Sequence, residues 1–171
     1  MEGTRLSGGH YVLAYLGMYL LWLLLVQTFA GDELVLGALV AGLALLASGP
    51  RLGLLAGLRL EVGAPLALLR YFAYFLVALV RANLDVARRV LSPQLPLHPE
   101  VVEVETGLRS ELGRLWLANS ITLTPGTLTV DVIDQRLRVH WIDSRPAGGD
   151  LAAATERIVR GFERHMRGFL H

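Results

Sequence analysis

The sequence predicts a membrane α-helical hairpin plus a long amphipathic helix, followed by a small cytoplasmic α+β domain of order β-α-β-β-α. Three observations carry this. Of the 171 residues, 53% are hydrophobic, and mean hydropathy is +0.48, more apolar surface than an ordinary soluble domain carries. That surface is concentrated in long runs within the first 91 residues. Beyond a proline-rich linker the pattern changes to strand alternation and short amphipathic helices. The expected division is 1–50 for the transmembrane hairpin, 51–92 for the third helix, 93–99 for the linker and 100–171 for the cytoplasmic domain.

Residues 11–30 are an uncharged run of about 20, close to one hydrocarbon core at 1.5 Å per residue. The competing reading is a signal peptide, with Arg5 as its basic region and Thr28-Phe29-Ala30 as its cleavage site. The run exceeds the usual apolar length of about 15, however, and a second run follows almost at once. Gly31-Asp32-Glu33 is expected to break the two. Residues 34–49 form the second run, about 16 long and therefore a short span. Within it Gly37/Ala41 and Ala38/Gly42 are small pairs one turn apart. Such pairs admit a neighbouring helix in lipid, or simply fill an apolar helix. Arg5 before the hairpin, and Arg51 and Arg59 after it, put both ends in the cytoplasm.

The third segment opens at Pro65, a residue suited to a first helical turn. Residues 66–80 are long enough to span if tilted, but they contain Arg70 and run on into Arg81, Asn83, Asp85, Arg88 and Arg89. At 100° per residue Arg70, Tyr74, Arg81, Asp85 and Arg88 share a face. Arg81/Asp85 and Asp85/Arg89 have i,i+4 spacing. Two readings stand: a helix lying in the headgroup region with arginines toward anionic lipid, or a third span.

Pro93, Pro96 and Pro99 make residues 93–99 a stiff connector. Val101, Val102 and Val104 with Glu103 and Glu105 predict a strand, and residues 110–120 a short helix. Pro125-Gly126 suits the centre of a type II turn. Residues 127–133 and 136–142 then form a hairpin across Asp134-Gln135. Residues 150–170 repeat Leu151, Ile158, Val159, Phe162, Met166 and Phe169 at helical spacing. A domain of about 70 residues has a thin core, which docking on the third helix or on partners would help.

Chemistry is hard to find. There is no cysteine, which removes disulfides, iron–sulfur clusters and thiolate zinc sites. Net charge is +1, so nothing points to nucleic acid. His98, His140 and His165 with Asp131, Asp134 and Asp143 lack metal-ligand spacing. Ser120, Thr122, Thr124 and Thr127 have no flanking base, and turn capping accounts for them. Residues 11–30 and 34–49 hold no Asp, Glu, Lys, Arg or His, whereas ion paths are marked by such groups. No catalytic, cofactor-binding or metal residues are expected, and no small-molecule substrate.

Three stretches are peculiar enough to place the chain: Arg81-Ala82-Asn83-Leu84-Asp85-Val86 through Ser92-Pro93; Ser120-Ile121-Thr122-Leu123-Thr124-Pro125-Gly126-Thr127-Leu128-Thr129-Val130-Asp131; and His140-Trp141-Ile142-Asp143. Together they resemble the E subunit of the Mrp-type multisubunit sodium/proton antiporter, over nearly the whole chain. Trp141 departs from the cysteine or alanine common there. The resemblance implies a non-catalytic accessory subunit of a monovalent cation/proton antiporter complex in a prokaryotic cell membrane. It also implies large multi-span partner subunits, membrane lipid around the spans and no cofactor. Related subunits also occur in hydrogenase and other complex-I-like assemblies. A stand-alone membrane-anchored binding module is the remaining alternative. The residues expected to meet partners or to shape the assembly are Gly37, Ala41, Gly42, Arg81, Asn83, Asp85, Thr124, Pro125, Gly126, Thr127 and Asp131.

Overall fold

The computed structural model describes residues 6–171. The chain forms two compact units, Met1–Leu60 and Glu61–His171.

The first unit is a hairpin of α1 (Gly8–Val26) and α2 (Gly31–Ser48), followed by a 3-10 segment at Gly49–Gly57. Both helices, and also the helix Ala64–Leu91 of the second unit, are long and apolar enough to cross a membrane. The break falls at residues 27–30, earlier than the expected Gly31-Asp32-Glu33. Gln27 takes the left-handed conformation and its N–H closes α1 on the Leu23 carbonyl at 2.9 Å. Asp32 and Glu33 instead occupy the first turn of α2, where carboxylates complement the helix dipole. Tyr15 and Tyr19 donate to the Ala38 and Leu34 carbonyls at 3.3 and 3.4 Å. His10 is buried at the base. Its Nδ1 accepts from the Ser7 N–H at 3.1 Å, which leaves Nε2–H to donate to the Leu58 carbonyl at 3.1 Å. Arg5 lies outside the described residues.

The second unit begins with α3 (Ala64–Leu91), one continuous helix with proline in its first turn. At 1.5 Å rise it is about 42 Å long. The α+β domain follows as β1 (Glu100–Glu105), α4 (Glu111–Leu123), β2 (Thr127–Ile133), β3 (Arg136–Trp141), α5 (Leu151–Thr155), a π turn at Glu156–Arg160, and α6 (Gly161–Met166). The sheet is antiparallel in the order β1-β3-β2, with Val102 opposite Val139 and Thr129 opposite Val139. A bulge between Thr129 and Asp131 shifts the β2 register. Asp134 accepts a positive φ of 51° in the hairpin turn, as short polar side chains do.

The alternation of β3 decides the layers. Leu137 and Val139 are fully buried under the helices, and Arg136, Arg138 and His140 face solvent. Leu117, Ile121, Val159, Met166 and Leu170 complete the core. Ser110 caps α4 by accepting from the Gly113 N–H at 3.0 Å, and Asp150 caps α5 through the Ala152 and Ala153 N–H groups. The single helix expected over 150–170 is interrupted by the π turn. Its wider winding keeps Ile158, Val159, Phe162 and Met166 all buried.

Candidate functional site

Of the residues singled out by sequence, Thr124, Pro125, Gly126, Thr127 and Asp85 belong to the Thr124–Thr127 turn and a charged pin on α3; the docked face of α3 is a third feature.

The turn is built from its own hydroxyls. Thr124 Oγ1 donates to the Ser120 carbonyl at 2.8 Å, and Thr127 Oγ1 lies 2.7 Å from the Ile121 carbonyl. Two strand residues on, Thr129 Oγ1 donates to the Ala118 carbonyl at 3.1 Å, and Thr122 Oγ1 accepts from the Thr129 N–H at 3.1 Å. The hydroxyls are thus used in tying α4 to β2. Gly126 has φ of +92°, and a Cβ there would stand 3.0 Å from Ile142 Cγ2 and 3.7 Å from Val86 Cγ2. Its carbonyl accepts from the Ile142 N–H at 2.9 Å. Glycine is required both for the left-handed turn and for its fit between β3 and α3. Pro125 takes the adjoining turn position and is half-buried.

Below the turn, Arg89 of α3 donates to Asp143 at 2.6 Å, to Asp85 at 2.7 Å and to the Pro96 carbonyl at 2.9 Å. Arg145 closes the other side of Asp143 with contacts of 2.7 and 2.9 Å. The Asp143 side chain is only 7% exposed. The Arg145 guanidinium holds its carboxyl well below the usual carboxylate range. Burial opposes this, and Arg89 adds to it. The arrangement joins the end of α3, the linker and the end of β3. Asp85 is engaged by Arg89 rather than shared with Arg81, which makes no ion pair among the described residues. Asn83 donates to the Leu79 carbonyl at 2.8 Å and is otherwise exposed. Asp131 is exposed and accepts from the Val132 N–H at 2.9 Å.

Along α3, Tyr71 is buried and its hydroxyl lies 2.7 Å from Ser120 Oγ. Ser120 donates its own hydrogen to the Trp116 carbonyl at 2.7 Å, so Tyr71 is the donor. Its ring meets Phe169 and Trp116 at centroid distances of 5.6 and 6.0 Å. Tyr74 stacks on His165 at 4.4 Å and meets Phe162 edge-on at 5.4 Å. Gly161 and Gly168 exist at these contacts because a Cβ would collide with Tyr74 and Ala67 respectively. Sequence reasoning placed Tyr74 in the arginine stripe, but the ring belongs to the docked face. Arg70, Arg81 and Arg88 remain exposed. A further buried acid, Glu163, accepts from the Gly107 N–H at 3.2 Å and from Arg167 Nε at 3.0 Å. It fastens the β1–α4 connection to α6.

In the hairpin, Gly37 and Ala41 are buried against α1. A Cβ on Gly37 would strike the Trp22 ring, whereas one on Gly42 would enter open space. Among the described residues no three His, Asp or Glu side chains converge as a metal site would require. Ser7 Oγ lies 2.8 Å from His10 Nδ1 in the capping box that opens α1, and the buried Asp143 and Glu163 of the second unit join its elements.

Residues 15–168 match the family of Na+/H+ ion antiporter subunits called MNHE. The chain is 30% identical over 154 residues to Na+/H+ antiporter subunit E1 of Staphylococcus saprophyticus, covering 87% of this chain and 94% of that one. A chain of the archaeal respiratory complex called membrane-bound sulfane sulfur reductase is 38% identical. It superposes with a TM-score of 0.77 over 92% of this chain and 97% of its own length. A chain of the Mrp complex from Dietzia sp. DQ12-45-1b is 28% identical, with a TM-score of 0.42 over 60% of this chain and 94% of that one.

Proposed function

We propose, from the premise that this chain belongs to the E-subunit family of Na+/H+ antiporters, that it is an accessory subunit which serves assembly and carries no ions itself. A member of this family is a transporter component rather than a classical enzyme. The observation that carries the accessory reading is the composition of the hairpin. Between residues 11 and 30, and again between 34 and 49, there is no Asp, Glu, Lys, Arg or His to relay a proton or bind a cation. The buried polar groups of the second unit, Ser120, Asp143 and Glu163 among them, are engaged in joining its own elements.

The same reasoning gives a topology. Asp32 and Glu33 stand at the α1–α2 connection and Arg51 and Arg59 follow α2, which favours both hairpin ends in the cytoplasm. The domain touches α3 from Ala67, beside Gly168, to Arg89, on Asp143. That stretch is about 33 Å at 1.5 Å per residue. Were α3 a third span, the domain with its charged Arg160, Glu163 and Arg167 would be drawn into hydrocarbon. The chain is therefore read as two-span, with α3 on the membrane surface and the C-terminal domain cytoplasmic.

The test is mild-detergent purification of the tagged chain from its native membrane with mass identification of what accompanies it. Co-purification with large multi-span antiporter subunits is expected. Recovery as a lone monomer or homo-oligomer overturns the accessory reading. A second reading rests on the 38% identity to a chain of a respiratory complex: the same subunit type would then serve a redox-driven membrane assembly. Co-purification with redox-cofactor subunits would select it.

A further inference from the structure

The surface of α3 away from the domain is not uniform. At 100° per residue the docked side chains Ala67, Tyr71, Phe75, Val86 and Arg89 cluster around one direction. On the opposite side Leu69, Leu76, Val80 and Leu84 form an exposed apolar band. Arg70, Arg81 and Arg88 line one border of that band, and all three are exposed. At the other border stands Phe72, and beside it runs α4. One stripe of α4, spaced at three and four, carries Leu112, Leu115, Trp116 and Leu123 toward α3. With Phe72 and Phe75 these side chains line a groove of about 310 Å³. Leu115 and Leu123 are 51% and 62% exposed, although the core of the domain lies directly behind them.

The groove is apolar where it is deep. The polar pair on its floor is closed on itself, since Tyr71 donates to Ser120 and Ser120 to the Trp116 carbonyl. Asn119, the other polar residue of the lining, is exposed, and no buried polar atom among the described lining residues lacks a partner. Its size is near the small end of ligand sites, about 300 Å³, which suits a stretch of chain rather than a whole lipid. Its position supplies the occupant. With the domain above and the apolar band below, the arginine border and the groove lie on opposite flanks of α3 at the same depth. Arginines at that depth meet phosphate headgroups, so the groove opens at the boundary between headgroup and acyl chain.

We propose that the α3–α4 groove holds the upper acyl segment of a phospholipid of the cytoplasmic leaflet, so that α4 as well as α3 belongs to the membrane-facing surface. This rests on the reading of α3 as a surface helix. The lipid would shield Leu112, Leu115 and Leu123 from water and set the roll of the domain on the bilayer. Sequence alone hides the site, because its two walls are about 40 residues apart and join only when α4 docks on α3.

The experiment places benzoylphenylalanine at Leu115, and separately at Leu76, in the tagged full-length chain within its native membrane. After photolysis the intact chain is weighed. A phospholipid adduct at both positions is expected. Leu112→Trp, which fills the groove, should reduce the adduct at position 115 severalfold and leave that at 76 unchanged. A polypeptide adduct at 115, or no lipid adduct there while 76 gives one, overturns the groove and leaves the surface-helix reading standing. Absence of a lipid adduct at 76 removes the surface-helix reading, and the groove proposal with it.

Discussion

The two units solve the same problem, burial of apolar side chains, in opposite ways. The hairpin leaves its largest side chains uncovered: Leu25 is 72% and Leu46 79% exposed, and within α1 and α2 only His10, Gly37 and Ala41 are buried. The second unit hides Leu117, Leu137, Val139 and Met166 completely, and it recruits Tyr71 of an apolar helix to do so. The hairpin therefore depends on lipid or partner spans for its stability, whereas the second unit carries its own core provided α3 is included. Small residues show the same contrast. Gly37 admits a ring of its own hairpin, and Gly42 faces open space that a partner can occupy.

Tyr71→Ala is the strongest way to break this comparison. It removes a buried ring shared by α3, α4 and the C-terminal segment, and should destabilise the second unit by about 4 kcal/mol. Thermal unfolding of the detergent-solubilised chain would register this, while Tyr71→Phe should cost only about 1 kcal/mol. Gly126→Val comes next. A side chain at φ +92° that also presses on Ile142 should cost about 3 kcal/mol and lower the yield of complex. Normal complex yield from that variant would remove the structural reading of the turn.

Acid sharpens the contrast further. The Asp143 carboxyl titrates below its unfolded value of about 4, so its contribution is full above that pH and fades as pH falls through the folded value. Ellipticity followed from pH 6 to about 2 should show loss of the second unit's structure below about pH 4. Asp143→Asn should be less stable at neutral pH and should flatten that acid limb. The smallest effect in the isolated chain is expected for Gly42→Val. It meets open space there, and a drop in recovered complex would mark Gly42 as a partner contact. Gly37→Val should disturb the isolated hairpin through Trp22.

Local pattern was enough where neighbours in sequence are neighbours in space. The alternation of Leu137, Val139 and Trp141 with Arg138 and His140 gives β3 its faces, and Asp134-Gln135 marks the hairpin turn. Gly126 was legible as a turn glycine for the same reason. What stayed hidden depends on distant pairing. Asp143 meets Arg89 across 54 positions of sequence, and the i,i+4 spacing of Arg89 to Asp85 says nothing of that distant partner. Tyr74 has the helical phase of the arginines, and only the docked α6 turns it inward. The break between α1 and α2 was misplaced because charged residues were taken as the loop, although carboxylates are equally at home in a first helical turn.

In the proposed reading this subunit supports the complex without conducting. The most direct test is the ratio of cation/proton exchange to assembled complex in membrane vesicles, measured across Tyr71→Phe, Gly126→Val, Gly42→Val and the unchanged chain. Activity should fall only as complex falls, with the ratio constant. A variant of this chain that abolishes exchange while the complex assembles in full would contradict it.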